Sequence, residues 1–177
     1  MSDKEANLKD KLRQALASTI RVISGDLEID QNRKAIKNSN KFDFFELEKL
    51  DSKIDFIKAR AEADSSALKK KFSNNEIYKK NLPNNSSCKS LYAIAEKIRY
   101  ETLGSKMLKG IKKNLKDNYD QMINLKKKDQ IKTKEDVPVA EAFELYMLKN
   151  FYNIDLNSVS SKMLDFWEKE FDQSINK

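Results

Sequence analysis

The chain has no histidine and a single cysteine, Cys88, and these two shortages remove whole classes of chemistry. Without an imidazole there is no base for a Ser–His or Cys–His nucleophile, and the usual ligand set for zinc, copper or haem is missing. One thiol cannot close an internal disulfide, which fits a reducing compartment. Three glycines and two prolines in 177 residues leave little turn-forming punctuation. No run approaches the ~20 apolar residues that cross a bilayer. The opening MSDKEANLKDKLRQ is charged and lacks the apolar stretch of a signal peptide. These shortages together lead us to expect a soluble, cytoplasmic protein with no membrane partner.

What the chain does have is charge: 36% of its residues are Asp, Glu, Lys or Arg, with a net charge of +7. Abundant charge with few chain breakers is the composition of helices with polar outer faces. The expected fold is all-α, an irregular bundle of about five to seven helices in one domain over residues 1–177. A chain of this size buries roughly 70% of its unfolded surface, so it folds without covalent staples. The excess of positive charge raises the alternative of a basic helical nucleic-acid-binding domain, centred on NLKKKDQIKTK from Asn124 to Lys134. Against it, the lysines are spread along the chain and interleaved with acids.

Helical periodicity is explicit in several places. Leu8, Leu12, Ala15, Leu16, Thr19, Ile20 and Ile23 recur at three- and four-residue steps, and Gly25 supplies a stop. Residues 26–52 form a connector in which LEID or FDFFELEKL offers a short strand or packed extended segment. Ser52 and Asp55 then resemble a capping box opening a helix that runs to about Phe72. A second polar connector spans 73–87, with at most a helical turn before Pro83. Leu91, Ile94, Ala95, Ile98 and Thr102 form a stripe that Gly104 is expected to end, with Ser105 capping the next helix through Ile111, Leu115 and Tyr119. Thr133, Asp136 and Pro138 mark another start. The last helix is expected from about Asn157 to Gln173, with Trp167 either in the core or facing a neighbouring domain.

Two short stretches invite a catalytic or metal reading and fail on spacing. LGSKMLKGI has two glycines, but neither the separation nor the preceding strand of a phosphate loop. Asp64, Ser65 and Ser66 resemble part of an Asp-x-Ser-x-Ser metal site, yet position 68 is leucine on a helix. There remain the arginines, only five among 35 basic residues. Arg60 and Asp64 lie four apart on one helix, and Arg99 stands near Glu101. These four residues form either an internal polar network joining helices or a docking surface, and arginine suits both because its planar fork pairs bidentately with carboxylates.

The order of several segments resembles the N-terminal region of the CobT family, a subunit of the aerobic, ATP-dependent cobaltochelatase. They are LASTIRVISGDLEI (16–29), ARAEADSSALKKKF (59–72), LYAIAEKIRYETLGSKMLKGIKKNL (91–115), EDVPVAEAFELYML (135–148) and DFWEKEF (165–171). The most specific elements are Arg60, Asp64 and Ser65; Arg99, Glu101, Leu103 and Gly104; and the Val137–Pro138 pair. The chain departs from the family at KKFSNNEIY and FDFFELEKL, where family members carry histidine and proline. The resemblance implies a ligase that inserts Co²⁺ into hydrogenobyrinic acid a,c-diamide during cobalamin synthesis. It also implies two partners, an AAA+ ATPase subunit and a large corrinoid-binding subunit. ATP, Mg²⁺ and Co²⁺ belong to the whole complex, with no cofactor, metal ligand or catalytic residue expected in this chain. It implies, finally, that the chain is the N-terminal part of a longer subunit, acting in assembly and coupling.

Overall fold

Helical periodicity becomes eight α-helices, with no strand, among the residues described by a computed structural model: 3–25, 52–125 and 131–175. The protein is all-α, as its composition predicts. The strand or extended segment expected within 26–50 lies outside the described residues, as do positions 126–130 of the basic stretch. Two compact units divide the chain, Met1–Ser73 and Asn74–Lys177.

The first unit contains α1 (Asp3–Ser24) and α2 (Lys53–Phe72), which pack against each other. Helix α1 buries Leu16, Ile20 and Ile23, one stripe at four- and three-residue steps. It ends at Gly25, whose φ of 73° is the left-handed conformation that glycine adopts without a Cβ clash. Helix α2 starts with the predicted capping box: the Ser52 hydroxyl accepts from the Asp55 amide at 3.2 Å, and the Asp55 carboxylate accepts from the Ser52 amide at 2.9 Å. Its last turn carries Lys69, Lys70 and Lys71, the sign that the carbonyl end of a helix favours. Alanines dominate its buried positions, Ala59, Ala61, Ala63 and Ala67, with Leu68 beside them.

The second unit contains α3 (Asn75–Lys80), α4 (Ser86–Met107), α5 (Lys109–Asn124), a 3₁₀ turn (Lys134–Asp136), α6 (Val139–Met147), a π turn (Leu148–Tyr152), α7 (Ser158–Asp165) and α8 (Glu168–Ile175). Asparagine side chains cap three of these helices, Asn74 for α3, Asn85 for α4 and Asn157 for α7, each accepting amides of the first turn. Helix α4 packs on α5, α6 and the π turn, while α6 also packs on α7 and α8. Their buried side chains include Ile98, Ile111, Leu115, Ile123, Leu145, Met163 and Leu164.

Two boundaries differ from the periodicity reading. Gly104 does not end a helix: it is buried inside α4, which runs on to Met107, and the break falls at Leu108 with extended φ and ψ of −133° and 111°. Ser105 is accordingly a mid-helix residue. The expected single C-terminal helix is two, α7 and α8, separated at Phe166 and Trp167. The Trp167 amide bonds back to the Leu164 carbonyl at 2.8 Å, turning the chain so that Phe171 meets Phe143 and Tyr146 edge-on, both at 5.4 Å.

Candidate functional site

On α2 the guanidinium of Arg60 is exposed and lies over the Phe56 ring, 5.8 Å from its centroid, one helical turn back. Asp64, one turn forward, is buried at 4% exposure. The two do not form an ion pair; Arg60 finds a π face, and Asp64 turns inward among the alanines of α2.

Arg99 and Glu101 both lie on α4. Arg99 forks onto Glu96 through Nε at 2.7 Å and a terminal nitrogen at 2.8 Å. This bidentate bond raises the Arg99 pKa above its ordinary value. Positions two apart point to different sides of a helix, whereas three apart are neighbours, and Glu96 was available at that spacing.

Glu101 is turned into the bundle at 1% exposure. Its carboxylate accepts the phenol hydrogen of Tyr119, from α5, at 2.5 Å. Burial, followed by the field of the Glu101 carboxylate, pushes the Tyr119 pKa well above the usual phenol range, so the phenol is a committed donor. The network extends on both sides. The Tyr119 ring meets Tyr152 edge-on at 5.8 Å, and the Tyr152 hydroxyl shares a short hydrogen bond with Ser105 of α4. Lys97, one turn before Glu101, covers the Tyr119 ring at 5.2 Å and reaches Glu144 of α6 at 3.7 Å.

The π turn explains how Tyr152 arrives there. The wider turn is closed by Asn153 in the left-handed region, φ 53°, and the Ile154 amide returns to the Leu148 carbonyl at 3.2 Å. The sequence marks Tyr119 as a core position and Ser105 as a cap, but not their part, or that of Tyr152, in this network. Tyr119 did stand on the buried stripe of α5, and a phenol in a core implies a nearby acceptor; Tyr152 depends on a turn that no residue pattern announces.

A third cluster joins the 3₁₀ turn to α8. Lys134 donates to Glu170 at 2.5 Å and lies 4.1 Å from the centroid of the Trp167 ring, which stacks on Phe171. Thus Trp167 is part-buried under a lysine. Glu170, the carboxylate partner of Lys134, is held below the ordinary range by that hydrogen bond. Among the described residues no group of three or more Cys, Asp or Glu could hold a metal ion, and no helix is long and apolar enough to cross a membrane.

Fold and clusters define an all-helical protein whose polar side chains tie helix to helix. The family model described as cobalamin biosynthesis protein CobT matches residues 6–177, and the chain belongs to that family. Its role accordingly lies in cobalamin biosynthesis. No solved structure matches it.

Proposed function

We propose that this chain is a non-catalytic assembly and coupling domain of a cobaltochelatase subunit, linking an AAA+ ATPase subunit to the large corrinoid-binding subunit during ATP-driven Co²⁺ insertion into hydrogenobyrinic acid a,c-diamide. The observation that carries the reading is the family match across nearly the whole chain. The setting of the polar residues supports it. Metal insertion into a macrocycle needs a group that takes up ring protons. Glu101 is enclosed and already engaged by Tyr119, which suits a strut between α4 and α5 better than a proton acceptor. Arg99 and Glu96 lock each other in the same way at the surface of α4.

The test is size-exclusion chromatography with light scattering on the chain mixed with the ATPase subunit, with and without a non-hydrolysable ATP analogue. The expected result is a co-complex whose stability changes with nucleotide. Clean separation in every condition, or chelatase activity in the chain alone, would overturn the proposal.

A further inference from the structure

Between Thr102 and Lys116 the sequence has five lysines and no acid, the only such stretch to combine that charge with exposed aliphatic side chains among the described residues. Lys106 belongs to the end of α4; Lys109, Lys112, Lys113 and Lys116 fall within about 100° of the circumference of α5, one face of its first two turns. None of the five makes an ion pair among the described residues. Several lysines elsewhere are matched: Lys58 with Glu62, Lys97 with Glu144, Lys134 with Glu170 and Lys149 with Glu168. The three at the end of α2 complement a helix C-terminus. By contrast, Lys109 and Lys112 stand in the first turn of α5, where the helix dipole disfavours cations and where no acidic residue balances them.

Beside these charges lie Leu103, Met107 and Leu108, exposed by 36%, 57% and 47%. Leu103 and Met107 are one turn apart on α4, and Leu108 follows at the joint. At Gly110 nothing lies within 4 Å of where a Cβ would sit, so the backbone there is open to close approach. An aliphatic centre with unmatched cations around it has the anatomy of a protein interface rather than of a solvated face. A nucleic-acid groove would interleave arginine and stacking aromatics with the lysines, and the stretch 102–116 has neither.

We infer that the Leu103–Lys116 surface docks a protein partner through a helical segment that carries Asp or Glu together with aliphatic side chains on one face. Aliphatic groups of that segment cover Leu103, Met107 and Leu108, and its carboxylates meet the lysine ridge, supplying the charge that the first turn of α5 lacks. This deepens the coupling reading by assigning it a face, and rests on it only for the partner's identity.

The test uses the full chain and a defined probe, an 18-residue helical peptide with glutamate and leucine along one face, followed by amide chemical-shift mapping and fluorescence anisotropy. Polyglutamate of equal length and an 18-base-pair DNA duplex serve as competitors. The expected shifts centre on 103–116, and Lys109→Glu/Lys113→Glu weakens binding at least tenfold, as does Met107→Ser/Leu108→Ser. Lys109→Glu suits the dipole of α5, so its effect on binding cannot be ascribed to unfolding. Polyglutamate binding as tightly as the mixed peptide, DNA displacing it from the same residues, shifts centred elsewhere, or no binding would each overturn the inference. If the peptide binds here but the ATPase subunit does not, the surface stands and the choice of partner falls.

Discussion

Replacing Tyr119 by Phe would remove one oxygen from the most enclosed polar contact in the second unit. The ring should stay in place, because Tyr119 is 1% exposed and packs against Tyr152 and Lys97. What is lost is a hydrogen bond to a carboxylate, worth about 1.5–3 kcal/mol, and Glu101 is left enclosed without that donor. We expect a loss of about 2 kcal/mol, equivalent to a fall in Tm of about 4–8 °C for a chain of this size. Urea unfolding followed by Trp167 fluorescence reads the relevant part of the molecule, since the single tryptophan belongs to the same compact unit as Tyr119. Glu101→Gln keeps the shape and an acceptor but removes the charge. The double variant should therefore cost at least ~1 kcal/mol less than the two single costs added together. A Tyr119→Phe loss below about 0.5 kcal/mol, or strict additivity with Glu101→Gln, would refute the claim that this pair braces α4 against α5.

Gly110→Ala should stabilise the protein by about 0.5–1 kcal/mol in thermal or urea unfolding, because α5 is helical there and the added methyl meets nothing. At alkaline pH stability should fall. The folded-state pKa values of Tyr119 and Tyr146 are raised above 10.0, so below pH 10 both states keep their protons, while above it only the unfolded phenols ionise. Each such group steepens the decline by up to about 1.4 kcal/mol per pH unit, and Tyr119→Phe should flatten the curve measured by urea unfolding between pH 9.5 and 11. At acid pH the sign reverses. Asp136, held below 3.8 by the amides of Thr133 and Lys132, and Glu170, held below 4.5 by Lys134, stabilise the fold above those values. That contribution disappears as pH falls through the lowered values, and Asp136→Asn should show a smaller acid loss by circular dichroism.

The features legible in the sequence were those governed by a few adjacent residues. The Ser52–Asp55 box, the Thr133–Asp136 box and the Gly25 stop each satisfy backbone groups within one turn, so residue type and spacing suffice to identify them. Gly104 shows where that logic fails. A glycine after an apolar stripe is an ordinary helix stop, yet here it is enclosed by the bundle, and helix continuation was decided by packing around α4. The split at Phe166–Trp167 is of the same kind: Met163, Leu164 and Phe171 share a plausible helical stripe, but the aromatic cluster with Phe143 and Tyr146 draws the last part aside. Of the four site residues singled out, Asp64 and Glu101 are buried acids and Arg60 and Arg99 are surface cations. Their distinctive types were visible; their partners, Phe56, Glu96 and Tyr119, followed from rotamer and tertiary geometry.

Along the chain α4 and α5 are joined by Leu108 alone, and across their packed faces the Tyr119–Glu101 hydrogen bond holds one helix against the other. At 1.5 Å per residue, the sixteen residues of α5 make an arm about 24 Å long, and a 10° change at that joint would swing its far end by about 4 Å. The arm is anchored at that end: the Asn157 amide donates to the Ile123 carbonyl at 2.7 Å while the same side chain caps α7. The pitch of α5 is thereby held at three places, by Leu108 at its start, by the Tyr119–Glu101 bond along its length and by one asparagine at its end.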